Sequence, residues 1–290
     1  GVAQRDEKMY GIYKVKYDIL GNPKVNIIIP NFDGRDLLKK CIDSILENTT
    51  YSNYEIDIVD SGSADKELNE YYAELEKNKK IKVLRYKMSN PNFAKLVNFG
   101  VKNTKGQIIV QLTSTSEIIV NDWLENLLGF VQRENTGAVS GKVFSKEDRV
   151  LHAGMIVAGN NGKIFLNQGI GDDVYGYFAK ECHVQNFSCV GLNTMSYKRT
   201  DFEKVGGLSE TLAGYEDLDF CLSLRKLGLL NVYMPYSKVY DNNKEFYEID
   251  TKNVDLIKEK WAEIFRNGDM YFNKNFDTES NRYDVKKAKV

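Results

Sequence analysis

Val25-Asn26-Ile27-Ile28-Ile29-Pro30, followed at once by Asn31-Phe32-Asp33-Gly34, reads as a buried strand that stops at a turn. Branched aliphatics fill the run, and Pro and Gly punctuate its end. Three more β-rich runs follow at residues 54–60, 81–86 and 107–112. The stretches between them carry apolar residues at helical spacing: Leu37, Leu38, Cys41, Ile42 and Ile45 in the first, then Leu68, Tyr71, Tyr72 and Leu75. Strands alternating with helices predict βαβ units, hence an α/β fold around a mostly parallel, doubly wound sheet. Such sheets bind ligands in the crevice beyond the carboxyl ends of their strands. The residues that end each strand therefore matter most.

Beyond Gly141 the pattern loosens into a mixed region. Residues 150–158 and 182–188 read as strands, 215–227 as a helix ended by Gly228, 230–234 as a strand, and 254–265 as a longer amphipathic helix. From Asn267 onward the chain is polar and aromatic without an apolar period, which predicts an extension and no core element.

The 290 residues carry 40 Lys+Arg against 41 Asp+Glu, a formal net charge of −1, and 42% hydrophobic residues. That suffices for a substantial core and provides no overall basic field to hold nucleic acid. No apolar run approaches the ~18 residues that span a bilayer, and the charged start lacks the apolar middle of a signal peptide. A cytoplasmic protein is the expectation. The cysteines Cys41, Cys182, Cys189 and Cys221 form no C-x-x-C pair and read as free thiols. Two histidines, His152 and His183, exclude a histidine-rich metal centre.

The turn after the first strand is neither a dinucleotide-binding G-x-G-x-x-G nor a phosphate-binding G-x-x-x-x-G-K-[ST] loop. The second strand ends in Asp60-Ser61-Gly62-Ser63-Ala64-Asp65. A carboxylate there can accept hydrogen bonds from a base or ribose, while Ser63 or Asp65 caps the next helix.

Five stretches carry a resemblance: VNIIIP at 25–30, IDIVDSGSAD at 56–65, FAKLVNFG at 93–100, LHAG at 151–154 and GGLSETLAGYEDLDFCLSLR at 206–225. In this order and spacing they resemble family 2 glycosyltransferases with the GT-A fold. The subgroup most similar is rhamnosyltransferase-like, building bacterial cell-surface polysaccharides. The likeness runs from about residue 25 to 241 and continues through KWAEIFRNGDMYFN. It implies an inverting transferase with a nucleotide-diphosphate sugar (UDP- or dTDP-linked) in a donor half, 25–120. A glycan or glycoprotein acceptor would lie in a second half, 121–266, with extensions at 1–24 and 267–290.

By resemblance, Phe32 packs on the base, Pro30 lies on the donor side, and Asp60 recognises the nucleotide. Lys95 and Asn98 match the F-x-K-x-x-N-x-G segment beside the donor. Glu216 and Asp217 match the family's E-D pair, in which the Asp is the general base. Gly191, Asp172 and Asp173 fall on the acceptor side. Ordinary readings stand beside these. Phe32 is also a core edge and Lys95 a solvated cation. Acids opening a helix suit its macrodipole, His152 is a structural histidine, and Asp172-Asp173 form a solvated turn.

The likeness breaks at residues 107–119, QIIVQLTSTSEII. Thr113-Ser114-Thr115 stand where the acidic D-x-D motif holds Mn²⁺ or Mg²⁺, and hydroxyls are poor ligands for such an ion. The family's histidine after the late strand is absent from Val239-Tyr240-Asp241-Asn242, and Val190-Gly191-Leu192-Asn193 replaces a T-G-A-like turn. Thr113 and Thr115 remain as donor-side hydroxyls. Three readings follow: a transferase that neutralises the diphosphate with Lys or Arg; one that recruits metal through Glu117, Asp241 or Asp172-Asp173; or an inactive domain serving as a glycan-binding or assembly module. The resemblance leaves room for a place in a larger multidomain enzyme and for peripheral membrane association through Lys286-Lys287-Ala288-Lys289.

Overall fold

The computed structural model describes residues 1–6, 10–32, 34–87, 89–244 and 247–287. Asp33 of the first turn, and Ala288 and Lys289 of the basic tail, lie outside them. An antiparallel hairpin, β1 (Val2–Arg5) and β2 (Tyr13–Lys16), precedes the main body. The chain then runs β3 (Val25–Asn31), α1 (Arg35–Glu47), β4 (Tyr54–Asp60), α2 (Lys66–Leu75), β5 (Ile81–Arg85), α3 (Phe93–Lys102) and β6 (Ile108–Gln111). β7 (Ser116–Ile118), α4 (Trp123–Val131), β8 (Thr136–Ser145), β9 (Val150–His152), β10 (Met155–Ala158) and β11 (Gly162–Phe165) follow. The rest is β12 (Gln185–Phe187), β13 (Ser196–Lys198), α5 (Arg199–Val205), α6 (Glu216–Lys226), β14 (Leu230–Asp241), α7 (Val254–Lys260) and α8 (Ala262–Asn267).

The large sheet has the order β12-β14-β8-β13-β6-β3-β4-β5, with β7 on the end of β14 and β9 on β8. β6, β3, β4 and β5 are mutually parallel, whereas β13 inserts antiparallel between β6 and β8. This is the expected α/β architecture, parallel on the first half and mixed on the second. Side chains alternate across β3 and β4. Ile27, Ile29, Ile56 and Ile58 join the core under α1, α2 and α4, and Ile28 and Val59 face the core shared with α3. Gly100 lets α3 lie close to the sheet, since an added Cβ would sit 2.7 Å from Ile28 and 2.9 Å from Val59. Parallel register brings Asn31, Asp60 and Arg85 to one edge.

Four elements differ from the sequence expectation. The run 150–158 is broken at Ala153-Gly154 into β9, which pairs with β8, and β10, which pairs with β11 in a separate two-stranded sheet; Gly154 takes a positive φ there. The strand starting at Leu230 does not stop at Met234 but passes Pro235 through a register irregularity and reaches Asp241. Proline lacks the ladder N–H, and the irregularity absorbs that loss. The expected helix 254–265 is broken at Trp261 (φ −116°, ψ 29°), whose indole N–H donates to Asp219 at 2.9 Å. Burying that ring against α6 turns the chain. Among the described residues the C-terminal extension has no regular element beyond the end of α8, yet it buries Phe272 and Tyr283. Tyr283 stacks on Tyr177 at 5.1 Å, so aromatic packing replaces periodicity there. All four cysteines are free thiols, as expected. No helix among the described residues is long and apolar enough to cross a membrane.

Candidate functional site

The strand ends bound two neighbouring sets of polar groups. At the ends of β3, β4 and β5, Asp60 is buried and fully engaged. Its carboxylate accepts the N–H groups of Gly62 (3.3 Å) and Ser63 (3.4 Å) and the Tyr72 hydroxyl (3.1 Å), with the Arg85 guanidinium at 3.5 Å. Asn31 donates to the Tyr72 oxygen at 2.8 Å, and its own buried carbonyl oxygen has no hydrogen-bond partner. Phe32, just beyond, is half exposed at 47%. Asp65, and not Ser63, caps α2 by accepting from the Leu68 N–H at 2.8 Å.

The second set lines a cavity of about 330 Å³. Thr113 and Thr115 border it after β6, Gly191 and Asn193 after β12, Glu216 and Asp217 at the start of α6, and Asp241 and Lys244 at the end of β14. The Thr113 and Thr115 hydroxyls are 2.8 Å apart, and Thr113 also meets the Ser116 hydroxyl at 3.0 Å. Asp241 is held by three donors: Asn193 Nδ2 (3.2 Å), the Tyr247 hydroxyl (2.9 Å) and the Asn243 N–H (3.1 Å). Burial, and next the Asp241 charge, push the Tyr247 hydroxyl well up, so it stays a donor.

Asp217 is buried, and both its oxygens receive the Lys163 ammonium, at 2.6 and 2.8 Å. Glu216 turns back to accept the Gly214 N–H at 2.8 Å, and burial raises its pKa, with the Asp217 charge adding to the rise. His152 is driven down to about 3 by burial and the nearby Lys163 charge, which makes it a neutral wall. Gly191 is required there, because a Cβ would overlap the His152 ring. Phe93, Phe165 and Tyr247 give the cavity apolar faces.

Of the residues singled out in the sequence, Thr113, Thr115, Gly191, Glu216, Asp217 and Asp241 therefore share one cavity. Pro30, Phe32, Asp60, Lys95, Asn98, Glu117, Asp172 and Asp173 do not line it. Pro30 and Phe32 sit at the end of β3. Lys95 reaches the Asn90 carbonyl (2.9 Å), and Asn98 clasps the Leu208 backbone with both amide atoms (2.9 Å each). Glu117 pairs with Lys40 (2.7 Å). Asp172 lies between Lys142 (2.9 Å) and Lys238 (2.5 Å), while Asp173 is exposed. Sequence reasoning passed over Lys163, Asn193, Lys244 and Tyr247. Their signal is faint: the partners of Lys163 and Asn193, Asp217 and Asp241, are about fifty residues away in the chain, and Lys244 and Tyr247 belong to no motif.

The donor set does not suit a divalent cation. The two threonine hydroxyls bond each other, Asp241 already serves three donors, and Glu117 and Asp172 are paired with lysines. Among the described residues no three His, Cys, Asp or Glu side chains converge to hold a metal ion. What the cavity does offer is three acidic side chains (Glu216, Asp217 and Asp241), hydroxyls, and two cations, Lys163 and Lys244.

Residues 26–189 match the family model for Glycosyl transferase family 2. Protein y4gI of Sinorhizobium fredii is 30% identical over 267 residues, covering 86% of this chain and 29% of that protein. The O-antigen biosynthesis protein RfbC of Myxococcus xanthus is 30% identical over 224 residues, 75% of this chain and 17% of that protein. The chain thus spans less than a third of the length of either relative. Among solved structures, GalNAc-T7 with UDP, GalNAc and Mn²⁺ superimposes with a TM-score of 0.68 at 16% identity, over 84% of this chain and 50% of that one. That likeness shows a GT-A-like fold.

Proposed function

The chain belongs to glycosyl transferase family 2, and from that premise we propose that it transfers a sugar, with inversion, from a nucleotide-diphosphate sugar to a glycan acceptor. The observation that carries this reading is the meeting of Asp217, Thr113, Thr115 and Lys244 in one cavity at the carboxyl edge of the sheet. In this reading the half formed by residues 25–120 holds a UDP- or dTDP-linked donor, with Asp60 and Phe32 at the base. Residues 121–266 hold the acceptor.

Asp217 is the general base. The acceptor hydroxyl attacks the anomeric carbon from the side opposite the diphosphate, and its proton passes to the Asp217 carboxylate. The bond from that carbon to the phosphate oxygen breaks with its electron pair going to the diphosphate. The charge gathering there needs a counter-charge. Lys244, with the hydroxyls of Thr113 and Thr115 as neutral donors, supplies it in place of an ion, because the acids that would hold one are missing or engaged. Glycan assembly as the setting is drawn from the name of the Myxococcus relative.

A second reading, an inactive domain that binds glycan or positions another transferase, is favoured by one observation: both oxygens of Asp217 are occupied by Lys163. Calorimetric titration with UDP, dTDP and GDP and their sugars, first with Mn²⁺ and then with EDTA, separates the readings. The transferase reading expects binding tighter than about 1 mM that survives EDTA and weakens in Lys244→Ala. Binding lost in EDTA overturns the metal-free donor site. No binding of any nucleotide by folded protein overturns the transferase reading and favours the second.

A further inference from the structure

Lys163 is a buried cation lining the cavity that the donor, acceptor and base assignments leave without a task. It lies on β11, 4% exposed, with its ammonium 5.3 Å from the Phe165 ring centre and 5.5 Å from that of Tyr215. Among the described residues it is the only cation within ion-pair distance of Asp217. The Leu218 N–H also donates to Asp217 Oδ1, at 2.7 Å, so that oxygen is fixed from two sides. The other titratable groups around the pair are Glu216 and Tyr215 from the start of α6, His152 from β9, Cys189 after β12, and Tyr247 after β14, with Asp241 and Lys244 lining the same cavity. Burial pushes the tyrosine hydroxyls and the Cys189 thiol up and the His152 imidazole down, so these four are uncharged near pH 7. Glu216 also titrates upward, chiefly through burial.

A buried carboxylate in such surroundings has two ways to remain useful as a base: it must stay ionised, and it must present a fixed lone pair. Burial alone works against the first, and free rotation against the second. We propose that Lys163 is a positioning residue for Asp217, keeping the carboxylate ionised and in a single orientation toward the cavity. This rests on the reading of Asp217 as the base. When Asp217 takes the proton of the acceptor hydroxyl, the pair passes from ammonium–carboxylate to ammonium–carboxylic acid. The negative charge has by then moved to the departing diphosphate. The Lys163–Asp217 contact that argues for an inactive domain thereby acquires a working role.

The test uses the full chain with ¹³C-labelled aspartate and follows the Asp217 carboxyl signal against pH in the wild type, Lys163→Met and Lys163→Arg, assigned with Asp217→Asn. The expected result is a titration midpoint about one to three pH units higher in Lys163→Met, the range by which a neighbouring opposite charge moves a carboxylate. Lys163→Arg is expected to return most of the shift. A midpoint in Lys163→Met that coincides with the wild type overturns the proposal. Where Lys163→Met lacks the cooperative urea transition of the wild type, Lys163→Gln, which keeps a donor without charge, is read in the same way. No nucleotide is needed, so the result stands apart from failure of the donor reading. The kinetic counterpart is release of UDP from UDP-glucose with water as acceptor. In Lys163→Met its acidic limb is expected to follow the carboxyl signal while KM stays near the wild-type value. A limb that does not move overturns the role.

Discussion

At the residue scale the site depends on fits that only the folded chain displays. Gly191 stands out in the sequence through its place in a family turn, but the reason a glycine is needed comes from His152. The imidazole is 2% exposed and packed against Phe165 and Tyr247, so it has nowhere to retreat from a new methyl group. Gly191→Ala is therefore expected to destabilise the protein by roughly 1–3 kcal/mol, the usual cost of overpacking a rigid core. Urea unfolding measures this, and an unchanged midpoint would show that the ring yields. Asp217 could be singled out in advance because its acidic helix start is a local pattern that resembles the family's E-D pair; its work as the base remains the proposal above. Lys163 was not, because G-K-I-F at residues 162–165 says only that a lysine sits in a strand. What fixes its meaning is a carboxylate on a distant helix, and pair contacts of that kind leave no periodicity to read.

At the element scale the parallel half of the sheet was legible almost residue by residue, since buried strands and amphipathic helices each impose a period. The second half was not, for reasons that can be named. Pro235 reads as a stop, yet β14 carries on to Asp241 by shifting register, and this extension is what brings Asp241 to the cavity. The break between α7 and α8 was hidden for the opposite reason: the apolar period continues through Trp261 although the backbone does not. There the side chain outweighs helix propensity. Trp261 is 3% exposed and donates to Asp219, which Lys260 also engages at 2.7 Å. Trp261→Phe removes the donor and leaves a phenyl ring smaller than the indole. The lost hydrogen bond to a charged group is expected to cost about 1.5–3 kcal/mol, with the vacated volume adding to it. The loss would show as a lower urea midpoint and faster amide exchange in α7 and α8. If exchange rises evenly across the molecule instead, the corner is not the element that the indole holds.

At the scale of the whole molecule, one buried acid couples the joining of the second half to pH. Glu181 has a fully buried side chain, 3.2 Å from the Lys142 ammonium, which itself also reaches Asp172. Despite that cation, burial is the larger influence and pushes Glu181 from 4.5 up to about 7. In the folded chain it is therefore protonated over a range in which the unfolded chain has already released the proton. A raised carboxyl pKa contributes stability below the unfolded value, and that contribution is lost as pH rises through the folded value. The loss between pH 4.5 and 7 is on the order of 3 kcal/mol. His152 acts in the other direction. With its folded pKa lowered to about 3, its contribution is complete above 6.5 and fades as pH falls below that. Between pH 5 and 8 the wild type thus gains from His152 while losing from Glu181, and a single profile would blur the two. Glu181→Gln isolates the acid, because the amide keeps the shape and cannot ionise. Relative to this variant, the wild type is expected to lose stability from pH 5 to about pH 7 and then to level off toward pH 8, as measured by urea midpoints at each pH. Parallel profiles for the two proteins would mean that Glu181 is ionised throughout and that Lys142, not burial, governs the contact between β8 and the loop that carries Asp172.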